Sequence, residues 1–241
     1  MNVIAFDTCL GACSAAVQWL DRIESNPPEA RHLRIVSRYE ELATGHAERL
    51  MPMMRDVFHE SRRRLQDLDA IAVTVGPGTF TGVRLGIAAA RALALATGLP
   101  VRTTTSLHVM ACQAEAELGD DRLGHAIAVC ADARNKQVFV QLFGKSVEPP
   151  LTRAQLLTLE EAAALKLGVP LICVGSAAQG VAEAARRLGH KAKVRLPNLQ
   201  PNARYLVELA PTLEARKPVR PLYLRTPDAK PQDDMSLPRA E

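Results

Sequence analysis

Residues 70–105 constrain the fold more than any other part of the chain. Ala70 to Val75 (AIAVTV) is an unbroken apolar run of strand length, the pattern of a strand buried on both faces. Gly76-Pro77-Gly78 ends it, and an apolar segment from about Gly82 to Ala96 has the length of a helix. Gly98 and Pro100 close that helix, and Val101 to Thr105 starts another strand. A strand, helix, strand unit of this kind places its strands parallel in one sheet. Three further strands precede it: Val3 to Phe6 ending at Asp7, Ser14 to Leu20, and Leu33 to Tyr39. Asp21 to Arg31, with Ser-Asn-Pro-Pro inside, must turn. Thr44 can cap a helix in which Leu50, Met54, Val57 and Phe58 recur at helical spacing, with Pro52 marking its start or a bend. Short links between the first three strands predict an antiparallel meander. Crossovers then extend it into a mixed sheet with helices packed on it, an α/β fold.

The second half repeats the alternation more faintly. Leu107 to Leu118, Leu159 to Leu167 and Val181 to Leu188 read as helices, as does Tyr205 to about Ala215. Ala126 to Cys130, Gln137 to Phe143 and Leu171 to Gly175 read as strands, the first two around a turn at Asp132-Ala133-Arg134-Asn135. With 241 residues and 47% hydrophobic content, the chain can build one large core or two smaller ones. The expected division is a first lobe over residues 1–105 with a returning helix at about 203–225, and a smaller lobe over 106–202. Residues 226–241, polar with three prolines, read as a disordered tail.

Composition limits function. No apolar stretch approaches the roughly 20 residues of a membrane span, and the N-terminus lacks a basic start. A cytoplasmic protein with no membrane partner is expected. The net charge of +4 is mild, and Arg62-Arg63-Arg64 reads as a solvated helix face, so any nucleic-acid contact is auxiliary. The five cysteines include no Cys-x-x-Cys pair and are expected to be reduced.

Candidate sites are few. The loop Gly76-Pro77-Gly78-Thr79-Phe80-Thr81-Gly82 precedes a helix, where phosphates often bind, yet neither the Walker lysine nor the dinucleotide fingerprint is present. Gly82, Gly86, Ala90 and Ala94 recur every fourth residue and make a stripe without side-chain bulk. It can pack on the sheet, or meet a partner together with Leu50, Met51 and Met54. His59-Glu60 lacks the second histidine of a zinc-protease helix, because Arg63 stands there, and His46 has Leu50 four residues on. No metal site is predicted. Asp7-Thr8 ends the first strand at a turn and could contact a nucleotide's phosphates or simply form the turn. No catalytic set of residues emerges.

Taken together, Asp7-Thr8, Gly45-His46-Ala47-Glu48-Arg49-Leu50-Met51-Pro52, Gly76-Pro77-Gly78-Thr79-Phe80-Thr81-Gly82-Val83-Arg84, Asp132-Ala133-Arg134 and Pro221-Leu222-Tyr223-Leu224-Arg225 resemble the TsaB (YeaZ) family over nearly the whole chain. The resemblance implies the two-lobed fold of the actin, hexokinase and sugar-kinase superfamily (ASKHA), with mixed sheets flanked by helices. It implies a non-catalytic dimerisation subunit that binds TsaD, and with it the ATPase TsaE. That assembly places threonylcarbamoyl on the adenosine next to the anticodon in tRNAs reading codons that begin with A. ATP or ADP and a metal ion are then expected only in the partner subunits, and tRNA only through the complex. A homodimer is expected in isolation. His46, Leu50, Met51, Met54, Thr81, Gly82, Arg84, Gly86 and Ala90 become the implied partner surface, and Gly86→Leu is expected to abolish partner binding while sparing the fold. Asp7 and Thr8 become vestigial nucleotide contacts. The family has Asp-Thr-Ser where this chain has Asp7-Thr8-Cys9. The alternatives are a small-molecule kinase of the same fold and a degenerate glycoprotease-like metallopeptidase.

Overall fold

The computed structural model describes residues 1–22, 31–165 and 168–225. The expected tail over 226–241 and the turn of the 21–31 hairpin lie outside the described residues. The first sheet is built from β1 (Val3–Asp7), β2 (Ala12–Arg22), β3 (Arg31–Glu41), β4 (Ala70–Thr74) and β5 (Val101–Thr104), in the order β3-β2-β1-β4-β5. β1 and β2 pair antiparallel, as do β2 and β3, while β1–β4 and β4–β5 are parallel. The second sheet comprises β6 (Ala126–Asp132), β7 (Gln137–Phe143), β8 (Gln155–Thr158), β9 (Leu171–Gly175) and β10 (Ala192–Pro197), in the order β10-β9-β6-β7-β8. Its pairings have the same directions: β6–β7–β8 antiparallel, β6–β9–β10 parallel. One topology therefore occurs twice, and the fold is a mixed-sheet α/β architecture.

The two-residue period of β1 decides how the first layers assemble. Ile4 and Phe6 face one side, joining Val83 and Ile87 of α2 (Phe80–Thr97) and Leu50, Met53 and Met54 of α1 (His46–Ser61). Val3 and Ala5 face the other, where α6 (Ala203–Leu209) packs through Leu206 and Val207. That second face is rich in alanine (Ala5, Ala16, Ala70, Ala72), which lets α6 lie close to the strands. In β6, Ile127 and Val129 join the core shared with the first sheet, together with Leu107 and Met110 of α3 (Ser106–Leu118). Ala126, Ala128 and Cys130 turn the other way, toward Ala162 of α4 (Leu159–Ala163) and Val181 of α5 (Ala178–Arg187).

Several expected boundaries shift. α1 is capped by Gly45, at φ 88°, rather than by Thr44, and Pro52 sits inside the helix. α6 ends at Leu209 and passes into a 3-10 turn, Ala210–Thr212, where Pro211 removes an amide donor, so no helix reaches Ala215. β8 and β10 have no counterpart in the sequence reading. They are edge strands with half-exposed residues and lack the apolar continuity that betrays β6 or β9. Arg62, Arg63 and Arg64 are not a helix face, because α1 stops at Ser61. Arg62 is its left-handed cap, and Arg63 lies 5.2 Å over the Trp19 ring with Nη2 2.7 Å from Asp21. None of the five cysteines is bridged. α2 is long and apolar enough, by length and composition, to cross a membrane, contrary to the sequence reading. In the fold it lies against β4 and the core.

Candidate functional site

The site predicted around Asp7 and the glycine loop comes together in space, with its parts turned inward. The Gly-Pro-Gly loop after β4 lies directly on the turn after β1. Thr79 N–H donates to the Cys9 carbonyl at 2.7 Å, and a Cβ added to Gly78 would stand 2.1 Å from that oxygen. One turn into α2 the contact repeats. The Thr8 hydroxyl donates to the Gly82 carbonyl at 2.6 Å, and a Cβ on Gly82 would stand 2.0 Å from the Thr8 carbonyl oxygen. Gly86 is next along the stripe, its would-be Cβ 3.0 Å from Thr8 Oγ1 and 3.4 Å from Val73 Cγ2. Gly78 and Gly82 let the loop and the start of α2 touch the backbone of the turn after β1, whereas Gly86 meets only side chains.

Asp7 and Thr8 are correspondingly enclosed, at 0% and 1% exposure. The Asp7 carboxylate accepts hydrogen bonds from the Thr74 hydroxyl and, at 3.1 Å, from the Cys9 amide. Burial raises its pKa to about 6, against the lowering effect of those bonds. Neither residue faces open space, which corrects their reading as nucleotide contacts: their polar groups are spent on fixing α2 to β1 and β4.

The implied partner surface divides in two. Leu50, Met54, Gly82, Gly86 and Ala90 are buried inside this chain and cannot form the apolar centre of an interface. The helical spacing was right, but the small side of α2 faces β1 and β4. Met51 at 58% exposure, Thr81 and Arg84 point outward. His46 is half-buried, with Nε2 2.9 Å from the Leu10 carbonyl oxygen. The outward side of α2 carries residues the sequence reading missed: Ala88, Ala92, Ala96 and Leu95, the last 89% exposed. The signal was available, because α2 carries apolar residues outside its buried stripe, with Arg84 and Arg91 confined to one flank, while a helix buried on one side needs only one apolar stripe.

Outside the sealed turn, an open cleft of about 340 Å³ remains between the start of α2, the β6–β7 turn and the segment around Tyr223. Phe80 and Tyr223 stack there with ring centroids 5.3 Å apart. The Arg84 guanidinium lies 3.6 Å over Phe80, and its Nε donates to the Tyr223 hydroxyl at 2.9 Å. Among the described residues no group of three or more metal-ligating side chains comes together.

Comparison with known proteins places this arrangement. A family model described as TsaD, tRNA N6-adenosine threonylcarbamoyltransferase, matches residues 39–154. TsaB of Escherichia coli is 35% identical over 139 residues, which cover 58% of this chain and 53% of that protein, so the match spans about half of its length. An uncharacterised protein of Mycobacterium tuberculosis is 30% identical over 95% of this chain and 94% of its own. The solved structure of YeaZ from Pseudomonas aeruginosa superimposes with a TM-score of 0.74 at 28% identity, covering 92% of this chain and 99% of that one. The chain belongs to the TsaB (YeaZ) family. In this family member the inward glycine contacts hold the start of α2 against the turn after β1, and among the described residues Ala88, Ala92, Leu95 and Ala96 on its other side are exposed.

Proposed function

We propose that this chain is a non-catalytic scaffold subunit of the cytoplasmic assembly that makes threonylcarbamoyladenosine on tRNA, binding TsaD and with it TsaE. Transfer to the adenosine next to the anticodon is then the partner's chemistry, and ATP, ADP and any metal ion belong to the partner subunits. The observation that carries this reading is the two-sided apolarity of α2. Its inner side is consumed by β1, β4 and Thr8, yet Ala88, Ala92 and Leu95 on the outer side are exposed, as is Met51 of α1. Small exposed residues on a helix suit close helix-on-helix contact with another protein, and an exposed methionine adapts to a partner's shape. Asp7 and Leu50 support the non-catalytic part. A kinase needs an accessible carboxylate at the first turn, and Asp7 is enclosed. A metallopeptidase needs a second ligand one helical turn after His46, and Leu50 there is wholly buried. A second copy presenting the same outer face accounts for a homodimer when TsaD is absent.

The test is size-exclusion chromatography with light scattering, on the chain alone and mixed with TsaD of the same organism. A one-to-one complex that Ala92→Glu disrupts, with the melting temperature unchanged, is the expected result. Two separate, unchanged peaks in the presence of nucleotide would refute the reading.

A further inference from the structure

We infer that the open cleft beside Tyr223 binds one unpaired nucleotide of an RNA strand, so that this subunit touches RNA itself. The cleft's size is at the low end for small-ligand sites, enough for a base and its phosphate. Its rim joins two chemistries. Phe80 and Tyr223, at 41% and 42% exposure, are among the most exposed aromatic rings of a chain that is only 4% aromatic. Phe80 is already stacked on Tyr223 and covered by Arg84, so Tyr223 is the ring offered to a base, a contact made without regard to sequence. Beside the two rings, Arg134 lines the cleft and Arg84 lies against Phe80. Among the described residues, no carboxylate pairs with the guanidinium of Arg134 or with Lys136, and no acceptor meets the terminal amino groups of Arg84. The acid lining the cleft, Asp132, accepts the Arg134 backbone amide at 2.9 Å.

The turn that holds these cations is itself unusual. Arg134, Asn135 and Lys136 all adopt left-handed backbone, at φ 63°, 50° and 60°. Such conformations are costly for side-chain-bearing residues, and here they project two basic side chains from the tip between β6 and β7. The positive end of α2 adds to the same field, since Thr79 and Thr81 line the cleft. A free nucleotide bound deep between the sheets would need the turn after β1, which Gly78 and Gly82 close against Thr8 and Cys9. A strand arriving from outside needs only the rim. The choice of RNA rests on the proposed function, whereas the cluster of rings and cations does not.

Fluorescence anisotropy tests this with the full chain alone and a fluorescein-labelled, single-stranded RNA of mixed sequence, about ten nucleotides long, the span of one strand-binding groove. Saturable binding at about 50 mM salt is expected. Tyr223→Ala should weaken it about tenfold through lost stacking. Arg134→Ala should weaken it several-fold and lower the slope of log affinity against log salt by about one. Arg187→Ala, a remote exposed arginine on α5, should do neither, and all three variants should stay folded, with circular dichroism like the parent's. The inference falls if no RNA binds, if Arg187→Ala costs as much as Arg134→Ala, or if adenosine monophosphate competes as tightly as the RNA. It falls equally if the cleft variants bind RNA normally but no longer co-elute with TsaD, which would make the cleft a protein dock. Failure of TsaD to co-elute with the unaltered chain refutes the scaffold reading and leaves the RNA titration standing by itself.

Discussion

Gly82→Ala isolates the contact on which the arrangement of α2 depends. The new methyl carbon would lie 2.0 Å from the Thr8 carbonyl oxygen and 2.7 Å from Thr79 Oγ1. Relief requires the start of α2 to move away from the β1–β2 turn by about an ångström, because the obstacle is backbone and cannot rotate aside. That movement strains the Thr8 hydroxyl bond to the Gly82 carbonyl and the Thr79 cap on the Gly82 amide. Overpacking costs about 1–3 kcal/mol, and weakening a cap and a buried hydrogen bond adds about 1 kcal/mol each. The better helix propensity of alanine returns up to about 1 kcal/mol. The net loss is about 2–4 kcal/mol, which in a chain of this size lowers the melting temperature by roughly 4–16 °C. Gly86→Ala is the internal control. Its methyl would meet a hydroxyl at 3.0 Å and a methyl at 3.4 Å, both on side chains, so its effect stays within about 1 kcal/mol of zero. Thermal melts of both variants decide the matter. Equal melting temperatures for Gly82→Ala and the parent would refute the reasoning and return the stripe to the surface. Gly86→Leu, by the same geometry, unfolds or severely destabilises the chain rather than sparing it.

Other expectations follow from single contacts. Asp7, raised from 3.8 to about 6 by burial, holds its proton more tightly in the folded chain, so stability is greatest below pH 4 as far as this group is concerned. It declines by about 3 kcal/mol as pH rises through 6. Asp7→Asn should flatten that part of a urea-denaturation pH series, and an unchanged slope would show that another group carries it. Arg122 is buried, ion-paired to Glu115 and donating to the Gly144 carbonyl, so Glu115→Gln should cost about 1–2 kcal/mol in denaturant melts, discounted because the Glu115 side chain is 39% exposed. Trp19, the chain's one tryptophan, is covered by Arg63, and its indole N–H donates to Asp21 at 2.7 Å. Arg63→Ala should shift its fluorescence to longer wavelength and cost about 1 kcal/mol, while an unmoved spectrum would place the guanidinium elsewhere in solution.

The legible parts of the fold were those in which one residue type has one use. The run from Ala70 to Thr74 is buried on both faces and has no alternative to a central strand. Gly98, at φ 75°, can hardly do anything but end a helix. Gly82 and Gly86 were ambiguous for a physical reason: a small residue at helical spacing permits close approach but does not say to what. The decision lay with Thr8, seventy-four residues away, and only the fold brings its carbonyl to the helix. The cleft shows the same limit. Phe80, Arg134 and Tyr223 come from three separate segments, and no local pattern links them. The outer face of α2, by contrast, was legible. An 18-residue helix with apolar residues on two opposite sides and arginines, Arg84 and Arg91, on only one flank has more apolar surface than one sheet can cover, and Ala88, Ala92 and Leu95 are the excess.

The inward and outward faces of α2 are mechanically connected, which makes the glycine contacts more than packing. A helix held by side chains alone can roll as rotamers change, whereas one held by backbone against backbone at Thr8 has little freedom to do so. Rolling by one residue would put Arg91 where Ala92 stands in the exposed strip. The Thr8–Gly82 contact therefore fixes which residues the outer face presents and spares a partner the cost of ordering them. Two kinds of variant should separate on this basis. Ala92→Glu should change TsaD association and leave the melting temperature alone, since Ala92 is exposed. Gly82→Ala should lower both, because it disturbs the anchor that sets the register of the face. Were Gly82→Ala to lose stability while keeping full association with TsaD, the outer face would not depend on its inner anchor, and a partner contact elsewhere on the chain would have to be sought.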